Sequence, residues 1–331
     1  MTDVSSIALP LNVGLVGTGY AAKLRAETFQ ADPRSRLVAV VGHQPDKTAA
    51  FSHTYGAEAI DSWTALIERS DIDLVVIATV NRDHGAIAQA ALQAGKHVVV
   101  EYPLSLHLAE AETLVHQAAQ QKKLLHVEHV ELLSGIHQTV QQTLAAIGNP
   151  FYASYTTFTA QRPAPQKWTY QADLFGFPLV GAVSRIHRLT DLLGPVTTVS
   201  CQARFWEIPD SFAYRSCLCT AQLHFANGAI ADVTYGKGEA IWRSARTLEI
   251  HGEQGAILVD GEMGTLVQAH QTQSLDLGSR RGLFAKDTAM VLDHLIDDAP
   301  LYVSTASSLY ALKVADAARL SAETGKTIGL D

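Results

Sequence analysis

Along the first 125 or so residues, apolar positions gather in short unbroken runs. The runs are "LNVGLVG", "RLVAVVG", "DLVVIAT" and "KHVVVE". Between and after them lie stretches with helical spacing: "YAAKLRAETFQ", "DKTAAFSHTYG", "RDHGAIAQAALQAG" and "AEAETLVHQAAQQK". Short runs that are apolar throughout predict strands buried on both faces. Their alternation with helices predicts a parallel sheet covered on both sides. The pattern changes near Leu124. From Phe151 onward, apolar and polar residues alternate over long segments such as "FYASYTTFTA", "VTTVSCQARFWEI" and "ARTLEIHGEQGAILVDG". Alternation of that kind predicts a mostly antiparallel sheet, and Asn227-Gly228 marks a hairpin within it. "TASSLYALKVADAARLSAETGK" closes the chain as an amphipathic helix. Two domains follow, at residues 1–125 and 126–331, with the last helix a candidate to pack back on the first.

A chain of 331 residues is long enough for two cores, and 47% hydrophobic with 18% charged residues suits a globular protein. The net charge of -8 argues against nucleic acid as the main partner, since phosphate binding needs a basic face. A small anion remains possible, because it needs only a locally basic pocket. Three cysteines are an odd count in so long a chain, so a disulfide framework is not expected. "MTDVSSIALPLNVGLVG" lacks the basic region and apolar core of a leader, and no run reaches membrane-span length. These features predict a reduced, cytoplasmic protein.

The first strand-to-helix turn reads Gly17-Thr18-Gly19-Tyr20-Ala21-Ala22, a G-x-G-x-x-A. The first glycine permits the tight turn, and the second lets backbone N–H groups approach a pyrophosphate. The small sixth residue allows close packing of helix on strand. In this context the first domain is predicted to be a Rossmann NADP-binding domain, and the second an α+β domain with the large antiparallel sheet. About twenty residues on, the second strand ends at Gly42, His43 and Gln44, with Lys47 beyond. An NAD-specific site usually places a carboxylate there for the ribose 2′-hydroxyl. None stands at these positions, and His43 or Lys47 could meet a 2′-phosphate. NADPH is therefore expected over NADH, unless both side chains are merely exposed loop residues.

"GLVGTGYAA", "VVIATVNRDHGAIAQAALQAGKHVVVEYPL" and "EAETLVHQAAQQKK" together resemble the glucose–fructose oxidoreductase / inositol dehydrogenase / MocA family. The resemblance implies that Thr79, Val80, Asn81 and His84 lie by the cofactor, with Glu101 by the nicotinamide. Sugar dehydrogenases of that family read E-K-P where this chain has Glu101-Tyr102-Pro103. They also carry an Asp-x-x-x-His pair early in the second domain. Their lysine and histidine move a proton from a hydroxyl as hydride leaves carbon. Here Tyr102 replaces the lysine, and "GAVSRIHRLTDLLGPV" has no such pair in place, His187 being one turn too far along. "EYP", "HVELL" (His129–Leu133) and "FGFPLVGAVSR" (Phe175–Arg185) instead resemble the family's branch of linear-tetrapyrrole reductases.

That branch implies hydride transfer to the central C10 methine of a tetrapyrrole with two propionates, and a proton added to a pyrrole nitrogen. No hydroxyl needs a base, so a strand-end lysine has no task. The resemblance makes Arg185, Tyr102 and Glu101 the catalytic candidates. Arg185 would stabilise the negative charge that develops in the substrate. Tyr102 offers a donor and a flat surface, or simply packs under the nicotinamide. Arg188 could pair with a propionate or form a helix-surface pair with Asp191. His129 and Glu131 fall near the pocket, Glu131 tuning its charge. Trp168, Tyr170 and Phe175 form either a wall for a planar ligand or ordinary core. "HVEHVE" (His126–Glu131) looks metal-binding, but strand alternation would point its side chains to opposite faces, so no metal is expected. Two other readings stand beside this one: a sugar or dihydrodiol dehydrogenase, and a non-catalytic NADP-sensing regulator. Relatives imply a monomer or a homodimer.

Overall fold

A computed structural model describes residues 9–330. Asp331 and Met1–Ala8, on which part of the leaderless reading rests, lie outside them. Within the described residues no helix is long and apolar enough to cross a membrane.

The unbroken apolar runs form parallel strands, as their pattern predicts. They are β1 (Leu11–Val16), β2 (Ser35–Val41), the short β3 (Glu58–Ala59), β4 (Leu74–Ile77), β5 (His97–Glu101) and β6 (Leu125–Glu128). All four residues of β4 are buried, which is why no polar alternation interrupts the run. Helices α1 (Tyr20–Ala31), α2 (Pro45–Tyr55), α3 (Trp63–Glu68), α4 (His84–Gln93) and α5 (Leu108–Gln121) connect them. Local sequence sets their ends. Pro45 opens α2 where its missing N–H costs nothing, and the Ser62 hydroxyl caps α3 by accepting from Ala65 N–H at 3.1 Å. The strand order is β3-β2-β1-β4-β5-β6. The order reverses between β1 and β4, and in such sheets the crevice at the carboxyl ends of those strands is where ligands bind.

By contact density the chain divides into two compact units. Of the described residues, the first holds those up to Val130 together with Gly282–Leu309; the second holds Glu131–Arg281 and those from Tyr310 to Leu330. The second unit opens with α6 (Gly135–Thr143) and β7 (Pro150–Ala160). Three helices follow: the single turns α7 (Ala172–Phe175) and α8 (Pro178–Gly181), and then α9 (Ser184–Leu193). Next come β8 (Val196–Glu207), β9 (Tyr214–Phe225), β10 (Ile230–Gly238), β11 (Ala245–Gly252), β12 (Gly255–Asp260), β13 (Met263–Gln268) and β14 (Gln271–Leu275). Their nine-stranded sheet runs β14-β13-β12-β11-β7-β10-β9-β8 and ends in β15 (Ile328–Gly329). It is antiparallel except where β10 lies parallel to β7. Asn227-Gly228 turns β9 into β10, with Gly228 at φ 87°, as the dipeptide predicts.

α10 (Leu283–Asp297) belongs to the first unit, where Val291, Leu292 and Leu295 join the core of Leu11, Leu15, Ala22, Ala26 and Phe29. α11 (Thr305–Thr324) then leads into the second unit. There Tyr310 accepts from Val196 N–H at 2.7 Å and Ser321 from Cys201 N–H at 2.9 Å. The three cysteines are free and buried.

Candidate active site

The first unit builds its site from strand ends. Gly17 follows β1 at φ 128°, a conformation open to glycine, and a Cβ there would lie 2.2 Å from the Ala78 carbonyl oxygen beyond β4. Two strand ends therefore close on each other only through this glycine. Gly19 is different: its φ of -83° suits any residue, and an added Cβ would meet nothing within 4 Å. It stands as the N-cap of twelve-residue α1, and no side chain caps that terminus. The first-turn N–H groups thus face an open cradle suited to a pyrophosphate. Ala22 is fully buried, while Tyr20 is exposed. These residues fit a dinucleotide.

The two glycines separate in a test. Gly17→Ala is expected to destabilise the fold by about 2–4 kcal/mol through strain and overlap. Gly19→Val should melt like the wild type yet weaken NADPH binding at least roughly tenfold, read by nicotinamide fluorescence.

At the end of β2, His43 is exposed, with Nε2 3.5 Å from Asp83 Oδ2. Arg82 also reaches Asp83, at 3.2 Å, and Lys47 lies exposed in α2. A carboxylate thus stands beside His43 after all, contributed not by β2 but by the turn after β4, and paired there with Arg82.

Thr79, Val80 and Asn81 follow β4, with Asn81 buried. His84 opens α4 and is also buried; its Nδ1 lies 2.8 Å from Pro103 O and its Nε2 3.3 Å from Thr79 O. Burial pulls its pKa down, so one ring nitrogen carries the proton at neutral pH, and the shorter contact assigns it to Nδ1. His84 thereby ties the turn after β4 to the segment after β5.

Beneath that segment lies a buried ionic network. Arg25 of α1 is fully buried and donates from Nε to Glu101 at 3.0 Å, and from Nη1 to Asp287 of α10. Asp287 also takes His126 Nε2 at 2.7 Å and the Tyr302 hydroxyl at 2.8 Å. Tyr302 in turn accepts from His129 N–H at 3.0 Å. Burial and the adjacent Glu101 push Glu128 well above the usual carboxylate range. Glu101 is therefore held by the Arg25 guanidinium and borders the Glu128 carboxyl. Tyr102, half-buried, stacks on the His129 ring at 5.4 Å between centroids and 8° between planes. β6 ends at Glu128 and a 3-10 turn follows, so strand alternation stops before His129. Among the described residues no group of three or more His, Cys, Asp or Glu gathers as metal ligands would.

In the second unit "FGFPLVGAVSR" folds into α7, α8 and the start of α9. Gly181 lets Phe175 close on the turn, since a Cβ there would fall 2.5 Å from the Phe175 carbonyl oxygen. Arg185 enters in the first turn of α9, where the helix dipole disfavours a cation. It donates to Ser184 Oγ at 3.0 Å and rests 5.5 Å from the Tyr235 ring. Arg188 is buried and pairs with Glu131 at 2.9 Å; Asp191 pairs instead with His137 at 2.8 Å. The alternative of an Arg188–Asp191 pair is thereby corrected: α9 turns Arg188 inward and Asp191 away from it.

Glu131 also receives Arg246 at 2.8 Å and Arg280 at 2.6 Å. Burial alone would raise Glu131, but Arg246, Arg188, Arg280 and Arg185 together hold it below its ordinary value. Tyr155 behaves alike: burial raises it, yet Arg188, Arg246 and Arg185 bring it down. Four guanidiniums around one carboxylate make a strongly basic locus in an acidic chain. Trp168 lies 5.9 Å from Phe175, and Tyr170 is buried.

Sequence reasoning missed Arg25, Asp287, Tyr302, Arg246 and Arg280. One signal was available: Arg25 shares the inner stripe of α1 with Ala22, Ala26 and Phe29, an odd place for a charge.

Residues 11–129 match the oxidoreductase family with NAD-binding Rossmann fold, and residues 144–330 match the C-terminal alpha/beta domain of the same family. The crystal structure of biliverdin reductase in complex with biliverdin and NADP+ from Synechocystis sp. PCC 6803 is 52% identical. It superposes with a TM-score of 0.93, covering 95% of this chain and 99% of that one. Biliverdin reductase A of Mus musculus is 25% identical over 86% of this chain and 85% of its own length. Levoglucosan dehydrogenase of Pseudarthrobacter phenanthrenivorans is 26% identical over 82% of this chain and 78% of its own. The chain belongs to the glucose–fructose oxidoreductase / inositol dehydrogenase / MocA family of oxidoreductases, on its biliverdin reductase branch.

Proposed function

We propose that this protein reduces biliverdin to bilirubin with NADPH, by hydride transfer to the C10 methine. The observation that carries the reading is the basic locus of the second unit. Arg185, Arg188, Arg246 and Arg280 face a single carboxylate, Glu131, which leaves positive charge for an anionic substrate. Biliverdin is planar and carries two propionates, and this charge, with the rings of Tyr155, Tyr235 and Trp168, suits it. Likeness to the biliverdin-bound Synechocystis enzyme supports the same substrate and cofactor.

When bound, NADPH supplies the hydride. The protein's own residues do the rest. Gly17, Thr18, Gly19, Tyr20, Ala21 and Ala22 form the pyrophosphate turn, with His43 toward the 2′-phosphate. Thr79, Val80, Asn81 and His84 shape the nicotinamide end, where Glu101 is held by Arg25. Arg185 stabilises the negative charge that builds on the tetrapyrrole and polarises the pyrrole nitrogen that takes the proton. With a guanidinium pKa above about 12 it is a poor acid, so the proton comes through it from water or a propionate. Arg188 binds a propionate by exchanging part of its pairing with Glu131. Tyr102, fixed flat against His129, presents its ring and hydroxyl to the flat substrate. The protein acts in the cytoplasm as a monomer or homodimer.

The test is direct. Purified protein, NADPH and biliverdin should turn from green to yellow. No conversion at acidic or neutral pH, together with NADP-dependent oxidation of a sugar, would assign the chain to the dehydrogenases instead.

A further inference from the structure

Lys237, on β10, is almost fully buried, and among the described residues it pairs with no carboxylate. Its ammonium donates to the Thr169 carbonyl, which also accepts from the Tyr214 hydroxyl at 3.1 Å. Four aromatic rings surround it: Phe175 at 3.8 Å from Nζ to centroid, Tyr170 at 4.8 Å, Tyr214 at 5.4 Å and Tyr235 at 5.7 Å. A cation enclosed in this way is costly, because ring faces repay only part of its lost hydration. Buried charges kept at such cost cluster at working sites.

Its position says which site. Residues two apart on a strand share a face, so Tyr235 and Lys237 lie side by side on β10. The Tyr235 ring, 5.7 Å from the Lys237 ammonium, also lies 5.5 Å from the Arg185 guanidinium. Phe175, nearest to the ammonium, is the first residue of the "FGFPLVGAVSR" segment that ends in Arg185. One aromatic assembly therefore carries both cations.

We propose that Lys237 is a positioning residue for Arg185: its caged ammonium fixes Tyr235 and adds a weakly screened positive charge to the place where the substrate gains an electron pair. This rests on the reading that Arg185 faces the tetrapyrrole. The groups that face Lys237 are few. Cys217 and Tyr214 come from β9, Tyr170 from the turn before α7, Tyr235 from its own strand and Arg185 from α9. Burial pushes the Cys217 thiol and the Tyr214 phenol up, and Tyr170 up to about 12, so these three are neutral near pH 8. Burial lowers Lys237 itself to about 8. Its charge is thus present at neutral pH and lost as pH rises through about 8, well before an ordinary lysine would titrate.

The experiment follows kcat at saturating NADPH and biliverdin from about pH 7 to pH 9, through the lysine's titration. Wild type should lose rate through about pH 8. Lys237→Arg, charged throughout, should carry its rate past that point. Lys237→Met should run roughly tenfold slower at neutral pH and stay flat, with the effect in kcat and not in NADPH affinity. A lysine that served only packing would give a Met variant with unaltered rate at pH 7, or one that kept the fall near pH 8; either result overturns the proposal. If Lys237→Met fails to fold, Lys237→Arg decides alone: an unmoved alkaline fall overturns it. Full activity in Arg185→Ala would refute the underlying reading instead, and an inactive Arg185→Ala beside an unaltered Lys237→Met would refute only the role of Lys237.

Discussion

Replacing Arg185 by alanine is expected to slow hydride transfer by about 10²–10³-fold, the usual loss when one preorganised donor to a developing negative charge is removed. NADPH affinity should not change, because the pyrophosphate turn belongs to the first unit. The loss should appear in single-turnover oxidation of NADPH, which isolates the chemical step from product release. Arg185→Lys should recover part of the rate, since an ammonium restores charge but not the planar fork. The first-turn placement of Arg185 strengthens the expectation: a cation at that end of α9 works against the helix dipole, so its presence there is a cost to the fold. Wild-type turnover in the alanine variant would remove Arg185 from the chemistry.

Asp287→Ala should have the largest effect on stability. Asp287 is fully buried and anchors Arg25, His126 and Tyr302 at once. Its loss leaves the Arg25 guanidinium enclosed with Glu101 as its remaining ionic partner. Breaking a buried pair from one side costs about 3–5 kcal/mol. Denaturant titration should show that loss, and a change under about 1 kcal/mol would contradict the assigned network. The pH dependence has a definite sign. Burial raises Asp287, but Arg25 and His126 outweigh it and hold the carboxyl well below its ordinary range. A depressed native pKa stabilises the fold above about pH 4, the ordinary carboxylate value, and that contribution fades as pH falls toward the native value. The alanine variant should lose less stability on acidification than the wild type does. Activity should fall as well, because Arg25 places Glu101 at the end of β5.

Much of this architecture was legible from local pattern. Strands buried on both faces read as unbroken apolar runs, and Asn227-Gly228 announced its hairpin. The G-x-G-x-x-A turn was equally clear, because the chemistry of Gly17 and Gly19 is written in the residues themselves. "EYP" and "FGFPLVGAVSR" pointed to the strand end and to α9. What stayed hidden depends on partners distant in the chain. Arg25 meets Asp287 across more than 250 residues of sequence, and the helical spacing of Leu283–Asp297 does not say which sheet that helix covers. Glu131 looked like a local modifier until β11 and the segment after β14 delivered Arg246 and Arg280 to it. Lys237 was invisible for the same reason: alternation marks it as facing inward, but not that four rings await it.

The missing lysine of "EYP" remains the most informative departure, since it removes the base that alcohol oxidation would use. The proposed chemistry is hydride delivery to a conjugated carbon, and isotope tracing tests it directly. Biliverdin should be reduced with NADPH carrying deuterium at the transferred position of C4, and the product examined by mass spectrometry and proton NMR. The account predicts one deuterium, located at C10 of bilirubin. Product with deuterium elsewhere, or none, would contradict it.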